Sequence, residues 1–165
     1  PKASLRFGEL NQSLSLRAKL FKDAVAAIGF EADHAENINV TIWDKFLFLV
    51  ATSAVNCVTG QTIGVIRKDP DTRSLLSQLM KEVMLIANAK GVPLSEDNIK
   101  ARLNYVDTLT EDARMSMAVD LQHGNRLELP WLSGAVCRMG RDLNIPTPTN
   151  NFVFAALKHR IDGNN

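Results

Sequence analysis

The chain carries few of the residues that specialised proteins accumulate. In 165 residues there are two cysteines, three histidines and one tyrosine. Lys plus Arg number 19 against 18 for Asp plus Glu, a net charge of +1, so no broad field of one sign exists to draw a polyanion or an anionic bilayer. Nucleic acid and membrane are therefore not expected as partners. Cys57 and Cys137 lie far apart in apolar stretches, without metal-site spacing or the density of a secreted scaffold, which points to a reducing cytoplasm. His34 in a loop, His123 before a glycine and His159 near the end form no pair with ligand or triad spacing, and no metal is expected. The longest apolar run, Phe46 to Val58, is interrupted by Thr52, Ser53 and Asn56 and is shorter than the ~20 residues that cross a bilayer. It reads as a core helix. No Gly-x-Gly-x-x-Gly follows a strand, so a dinucleotide-binding loop is missing. Strand alternation, Asn-Gly hairpins, repeats and dividing linkers are absent too.

What remains is an ordinary globular composition, 45% hydrophobic and 22% charged, in a chain long enough to bury roughly 70% of its unfolded surface. Its opening, Pro1-Lys2-Ala3-Ser4, reads as the cut end of something longer. Helical signals fill the sequence. Ser15 to Ile28 places Leu16, Leu20, Val25 and Ile28 near helical spacing and stops at Gly29. Asn37 or Asn39 caps a helix running through Lys45 to about Cys57, with Gly60 at its end. Asp69-Pro70-Asp71-Thr72 starts another that closes at Lys90-Gly91, and Ser95 with Glu96 and Asp97 starts one reaching about Val106. Thr110-Glu111-Asp112 repeats the start chemistry before a short helix ended by Gly124. Glu128 to Leu143 and Asn150 to Ile161 complete the set, separated by Pro146-Thr147-Pro148. The expectation is an all-α multi-helix bundle, one helical domain over residues 1–165.

Lys45 has Thr41, Ile42, Phe48 and Leu49 as neighbours three and four residues away on its helix. An ammonium among such side chains is disfavoured by desolvation and gives up a proton more readily, as a general acid must. A lysine that snorkels from the edge of a core helix fits the same pattern. Ser116 and Glu128 stand twelve residues apart with Gly124 between them, so they can sit on two helices and converge on one cleft. Equally, Glu128 in the first turn of a helix favours its dipole, and Ser116 is small enough simply to pack. Trp43 and Trp131 read as core or cleft wall, since no basic stripe accompanies them.

Taken together, Ile42-Trp43-x-Lys45-Phe46, Ser116-Met117-x-x-Asp120, Glu128, Leu132-x-Gly134 and Pro146-x-Pro148-x-Asn150 resemble the C-terminal domain of the ketopantoate reductases, in order and spacing from about Arg6 to His159. The resemblance implies an all-helical substrate domain, similar to the C-terminal domains of 6-phosphogluconate-dehydrogenase-like enzymes, that normally follows a nucleotide-binding (Rossmann) domain. It implies Lys45 as the general acid protonating a keto oxygen while NADPH delivers hydride. Ser116 and Glu128 then hold substrate polar groups. NADPH would be bound mainly by the nucleotide-binding domain, which is absent from these residues, so this chain alone should be inactive.

The family places Asn four and eight residues after the lysine, where this chain has Leu49 and Ser53. Ser53 is the residue left to contact substrate there, and a cleft that has lost two carboxamides favours a less polar 2-oxo acid than ketopantoate. Asn56, eleven residues beyond Lys45, offers a polar contact only deeper in the bundle. The implied function is NADP-dependent reduction of ketopantoate to pantoate, in pantothenate biosynthesis, or of a related 2-oxo acid. A second copy of the chain is a candidate partner. The rival class is a freestanding helical binding or dimerisation module without catalysis.

Overall fold

Capping chemistry decides where most elements of the chain begin. The computed structural model describes residues 4–163, and contacts divide the chain into two compact units, Pro1–Asp44 and Lys45–Asn165. In the first, strand β1 (Ser4–Phe7) leads into helix α1 (Leu16–Ala27), and strand β2 (Glu31–His34) pairs parallel to β1, Ser4 opposite Glu31 and Phe7 opposite His34. Parallel neighbours need a crossover, and α1 supplies it. The sequence pattern predicts neither strand. Each is four residues long, and β2 alternates acids with Ala32 and His34 rather than with strongly apolar side chains. His34 is thus a strand residue, not a loop residue. Because β1, α1 and β2 contact one another, two units stand where the sequence reads as one helical domain.

Helix α1 starts at Ser15 as predicted. Ser15 Oγ accepts from the Ala18 N–H at 3.2 Å and donates to Glu9 Oε1 at 2.5 Å. Arg17 Nε donates to the same oxygen at 2.6 Å, and its Nη2 pairs with Glu9 Oε2. The Arg17 hydrogen bond, followed by that of Ser15, holds the Glu9 carboxyl down at about 2. The predicted apolar stripe of α1 is not a core face among the described residues: Leu16, Leu20 and Ile28 are 72%, 59% and 80% exposed, and Ala18 is the helix's buried residue.

Helix α2 (Ile38–Thr59) begins where Asn37 Oδ1 accepts the N–H groups of Asn39 and Val40, at 3.1 and 3.3 Å, and it ends before Gly60 in the left-handed region at φ 66°. In length and apolar content it matches a membrane-crossing helix. Residues 51–57 are nevertheless all buried, Thr52, Ser53 and Asn56 among them, which makes it the core helix that the sequence predicts. After the short helix α3 (Ile63–Lys68), α4 (Pro70–Ala89) starts at Asp69, whose carboxylate accepts the Thr72 N–H at 2.8 Å. Helix α4 is the axis of the second unit and packs against α3, α5 (Glu96–Thr108), α7 (Ser133–Leu143) and α8 (Pro148–Leu157). Its buried stripe runs Leu76, Leu79, Met80, Val83, Ile86 and Ala87, steps of one helix face. Ser95 and Asn98 form a capping box at the start of α5.

Three boundaries differ from the pattern. Thr110-Glu111-Asp112 does not open a helix, because Glu111 is engaged by Arg67 at 2.6 Å and Lys68 at 2.9 Å; helix α6 is Ser116–His123. Nor does Glu128 lie in a first helical turn. Pro130 disfavours helical backbone at Leu129, so residues 128–132 form turns in which the Glu128 carbonyl accepts the N–H groups of Trp131 and Leu132, and α7 begins only at Ser133. Helix α8 starts two residues early, at Pro148, and its last turn tightens into a 3-10 segment, Lys158–Arg160.

Glu82 interrupts the apolar stripe of α4 and is 7% exposed. Its oxygens accept the N–H groups of Thr149 at 2.7 Å and Asn150 at 2.9 Å and the Asn150 Nδ2 at 2.7 Å. The carboxylate therefore caps α8, whose own N-cap residue Thr147 makes no side-chain cap bond. Glu82→Ala strands those three donors and is expected to cost roughly 3 kcal/mol, and Glu82→Gln less, because the amide keeps an acceptor. Urea midpoints of the two variants check this order; an Ala variant as stable as wild type overturns it.

Candidate active site

Lys45 lies in the first half of α2 and is exposed. On the same helix Leu47, Val50, Ala51 and Ala54 are wholly buried, while Phe48 and Leu49 are half-buried. The expected desolvation of the ammonium is therefore not present among the described residues. The helix turns its core side through Leu47 and Val50 and leaves Lys45 in solvent beside a half-buried apolar surface. Ser53, one turn beyond Leu49, is 3% exposed and faces the core. It is not open to a small molecule.

Ser116 is the first residue of α6 and is exposed, as is Glu128 in the turn that follows α6. That turn is tied back on the helix. Asp120 accepts the Asn125 N–H at its carbonyl, 2.8 Å, and Asn125 Nδ2 at its carboxylate, 3.2 Å, while Gly124 supplies the left-handed residue at φ 71°. The Leu127 N–H is further pinned to the Ile161 carbonyl at 2.8 Å. Ser116 and Glu128 are thus connected by one helix and one fastened turn, with Gly124 as the break. Among the described residues, the side chains of Lys45, Ser116 and Glu128 make no hydrogen bond or ion pair with the protein or with each other. Three exposed polar groups keep their full hydrogen-bonding capacity. Beside Glu128, Trp131 is 57% exposed with the Arg126 guanidinium 5.4 Å over its ring, so it is not a core residue but an exposed aromatic surface backed by a cation.

Two buried polar residues elsewhere in the second unit carry roles that a reading of the sequence for chemistry does not assign. Glu82 could have been flagged, as an acid on the buried face of α4 between Leu79 and Ile86. Asn56 is wholly buried, and its carboxamide is engaged at both ends: Nδ2 donates to the Gln61 carbonyl at 2.8 Å and Oδ1 accepts the Met115 N–H at 2.9 Å. The sequence predicts only that Asn56 lies deep, not what it grips.

No group of three or more His, Cys, Asp or Glu among the described residues could hold a metal ion. A dinucleotide fits no better. The loop from β1 to α1 contains Gly8 alone, and a Cβ there would lie 2.9 Å from the Ala35 carbonyl, which makes that glycine a packing requirement. The N-terminus of α1 faces the carboxylate of Glu9, whose charge opposes a pyrophosphate where a helix N-terminus would otherwise attract one.

Residues 37–161 match the family model described as ketopantoate reductase PanE/ApbA C terminal. The chain belongs to the ketopantoate reductase family. The 2-dehydropantoate 2-reductase of Mesorhizobium japonicum is 29% identical over 153 residues, 92% of this chain and 46% of that protein. The chain spans about half the length of the curated relatives it matches. Among solved structures, the dimeric ketopantoate reductase of Staphylococcus aureus superposes with a TM-score of 0.81 at 22% identity, over 94% of this chain and 52% of the other. D-mandelate dehydrogenase in a ternary structure with NADH and anilino(oxo)acetate superposes with a TM-score of 0.85 at 18% identity, over 97% of this chain and 67% of the other. Both share the fold.

In this ketopantoate reductase domain the two free cysteines take no part in the exposed surface. Burial pushes the Cys57 thiol up to about 12, with Asp120 adding to the shift, and burial raises Cys137 as well. A thiol raised above its ordinary value stays protonated at pH 8 and is a poor nucleophile. Neither should react with a disulfide reagent at pH 8 until denaturant is added, when both should; release of the thiolate chromophore measures this, and rapid titration of the folded chain would contradict it.

Proposed function

We propose that this chain is the substrate-handling part of an NADPH-dependent 2-oxo-acid reductase of the 2-dehydropantoate 2-reductase type, acting in the cytoplasm. One observation carries the reading: the residues at the family's motif positions, Lys45, Ser116 and Glu128, are exposed and have no side-chain partner among the described residues, whereas the buried polar side chains of Asn56 and Glu82 are held by hydrogen bonds. In this reading Lys45 donates a proton to the carbonyl oxygen as it becomes an alkoxide. Ser116 hydrogen-bonds a substrate oxygen and Glu128 a substrate hydroxyl. Closure of the cleft around the substrate would supply the desolvation that Lys45 lacks here.

The first unit supports a two-domain protein. A two-stranded parallel sheet is not stable alone, and parallel sheets are normally covered on both faces, whereas α1 leaves Leu16 and Leu20 in solvent. We read β1, α1 and β2 as the edge of a larger nucleotide-binding sheet, which would hold the cofactor that the described residues do not fit. The dimeric state of the Staphylococcus aureus relative makes a second copy a natural partner.

Leu49 favours a second reading within the same chemistry. A half-buried leucine where the family has asparagine removes amide donors and adds apolar surface, and the ligand named with D-mandelate dehydrogenase carries an aromatic group on an oxo acid. Turnover by the full-length protein across ketopantoate, branched and aromatic 2-oxo acids, with NADPH and NADH, separates the substrates. Lys45→Ala should lower kcat by at least ~100-fold while far-UV circular dichroism stays unchanged. Unchanged turnover would remove Lys45 from the mechanism, and no turnover of any keto acid by the wild-type protein would favour the binding-module reading.

A further inference from the structure

Ser116 stands at the start of a helix that does little to fix its own position. Met115, the N-cap of α6, makes no side-chain cap bond, and the first turn of α6 contains no acidic residue. The anchor comes from elsewhere. Asn56 of α2, wholly buried, accepts the Met115 N–H at 2.9 Å and holds its own amide in place by donating to the Gln61 carbonyl at 2.8 Å. The segment leading to Met115 is fastened to the same region at three further points. Ile63 N–H donates to the Ala113 carbonyl at 2.9 Å, Gly64 N–H to the Glu111 carbonyl at 3.1 Å, and Arg114 Nη1 to the Gly60 carbonyl at 2.9 Å. A Cβ on Gly64 would meet the Glu111 carbonyl at 2.5 Å, so that seam closes only with glycine.

We propose that Asn56 is a positioning residue: its carboxamide sets the backbone immediately before Ser116 and thereby aims the Ser116 hydroxyl at the substrate. The inference rests on the reading of Ser116 as a substrate contact. Asn56 touches neither substrate nor cofactor. The Asn56 side of its bond to the half-buried Met115 N–H is wholly buried, which favours a fixed link over a surface tether. Lys45 lies eleven residues earlier on α2, about three helical turns, so one rod carries both the proposed acid and the seat of the proposed substrate serine.

The test is a double-mutant cycle in the full-length reductase. Asn56→Ala and Ser116→Ala should each raise KM for the 2-oxo acid by roughly ten-fold with a smaller change in kcat, and the double variant should be no worse than Ser116→Ala alone. Effects on KM that multiply would mean that Asn56 acts on substrate affinity independently of Ser116, and that result overturns the proposal. Asn56→Asp, which keeps the acceptor for Met115, should recover part of the lost affinity. If Asn56→Ala does not fold, Arg114→Met loosens the same segment from the surface and should raise KM in the wild-type background but not in Ser116→Ala; no such dependence counts against the proposal. An unchanged KM in Ser116→Ala sinks the functional reading of Ser116 itself, whereas a raised KM there with none in Asn56→Ala sinks only the positioning role. Amide exchange at Met115, faster in Asn56→Ala at an unchanged urea midpoint, is the matching physical readout.

Discussion

Glu82 places a carboxylate inside the second unit, where charge survives only if its oxygens are saturated by donors. The donors are the first N–H groups of α8, so the acid on α4 dictates where α8 starts. From there the constraints propagate along the chain. Helix α8 packs on α7, where Gly134 leaves no room for a Cβ beside the Phe154 ring, and beyond α8 the Ile161 carbonyl fastens Leu127. Glu128 is the next residue. A buried acid on α4 is thus connected, through one helix and one backbone bond beyond its C-terminal end, to the residue before an exposed acid.

The same division of labour recurs around Ser116. Asn56 and Asp120 use their oxygens on backbone N–H groups or on a neighbouring amide, whereas Lys45, Ser116 and Glu128 have no protein partner among the described residues. Buried polar groups are mostly satisfied within the scaffold, and exposed groups without a protein partner stay available to whatever binds there. The Arg126 guanidinium lies over the exposed Trp131 ring in a cation–π arrangement.

The helices were legible because their signals are local. Asp69-Pro70, Ser95, Asn37 and Gly124 each act within one turn, and each marks the boundary that it predicts. Failures came where another residue, distant or close by, outbid the helix-start signal. Glu111 looks like a helix-start acid until Arg67 and Lys68 claim it, and Glu128 looks like another until Pro130 delays the helix. The two strands were invisible since four residues are too few for a period, and the α1 stripe misled because an apolar face does not say what covers it. Of the proposed site, Lys45, Ser116 and Glu128 are named by the family pattern, and the structure adds that all three are exposed. The burial of Ser53 and the grip of Asn56 depend on how a helix is rotated in three dimensions, and no window of sequence reports that.

The spacing of Lys45 and Asn56 bears on what the gene can tolerate. Eleven residues at about 100° each bring the helix back to within roughly 20° of its starting azimuth. Exchange of one side chain for another along α2 preserves that phase, but gaining or losing a single codon between the two positions would rotate one against the other by over a quarter of a turn. Drift in this helix should therefore proceed by replacement, with its length held constant while surrounding loops lengthen and shorten freely.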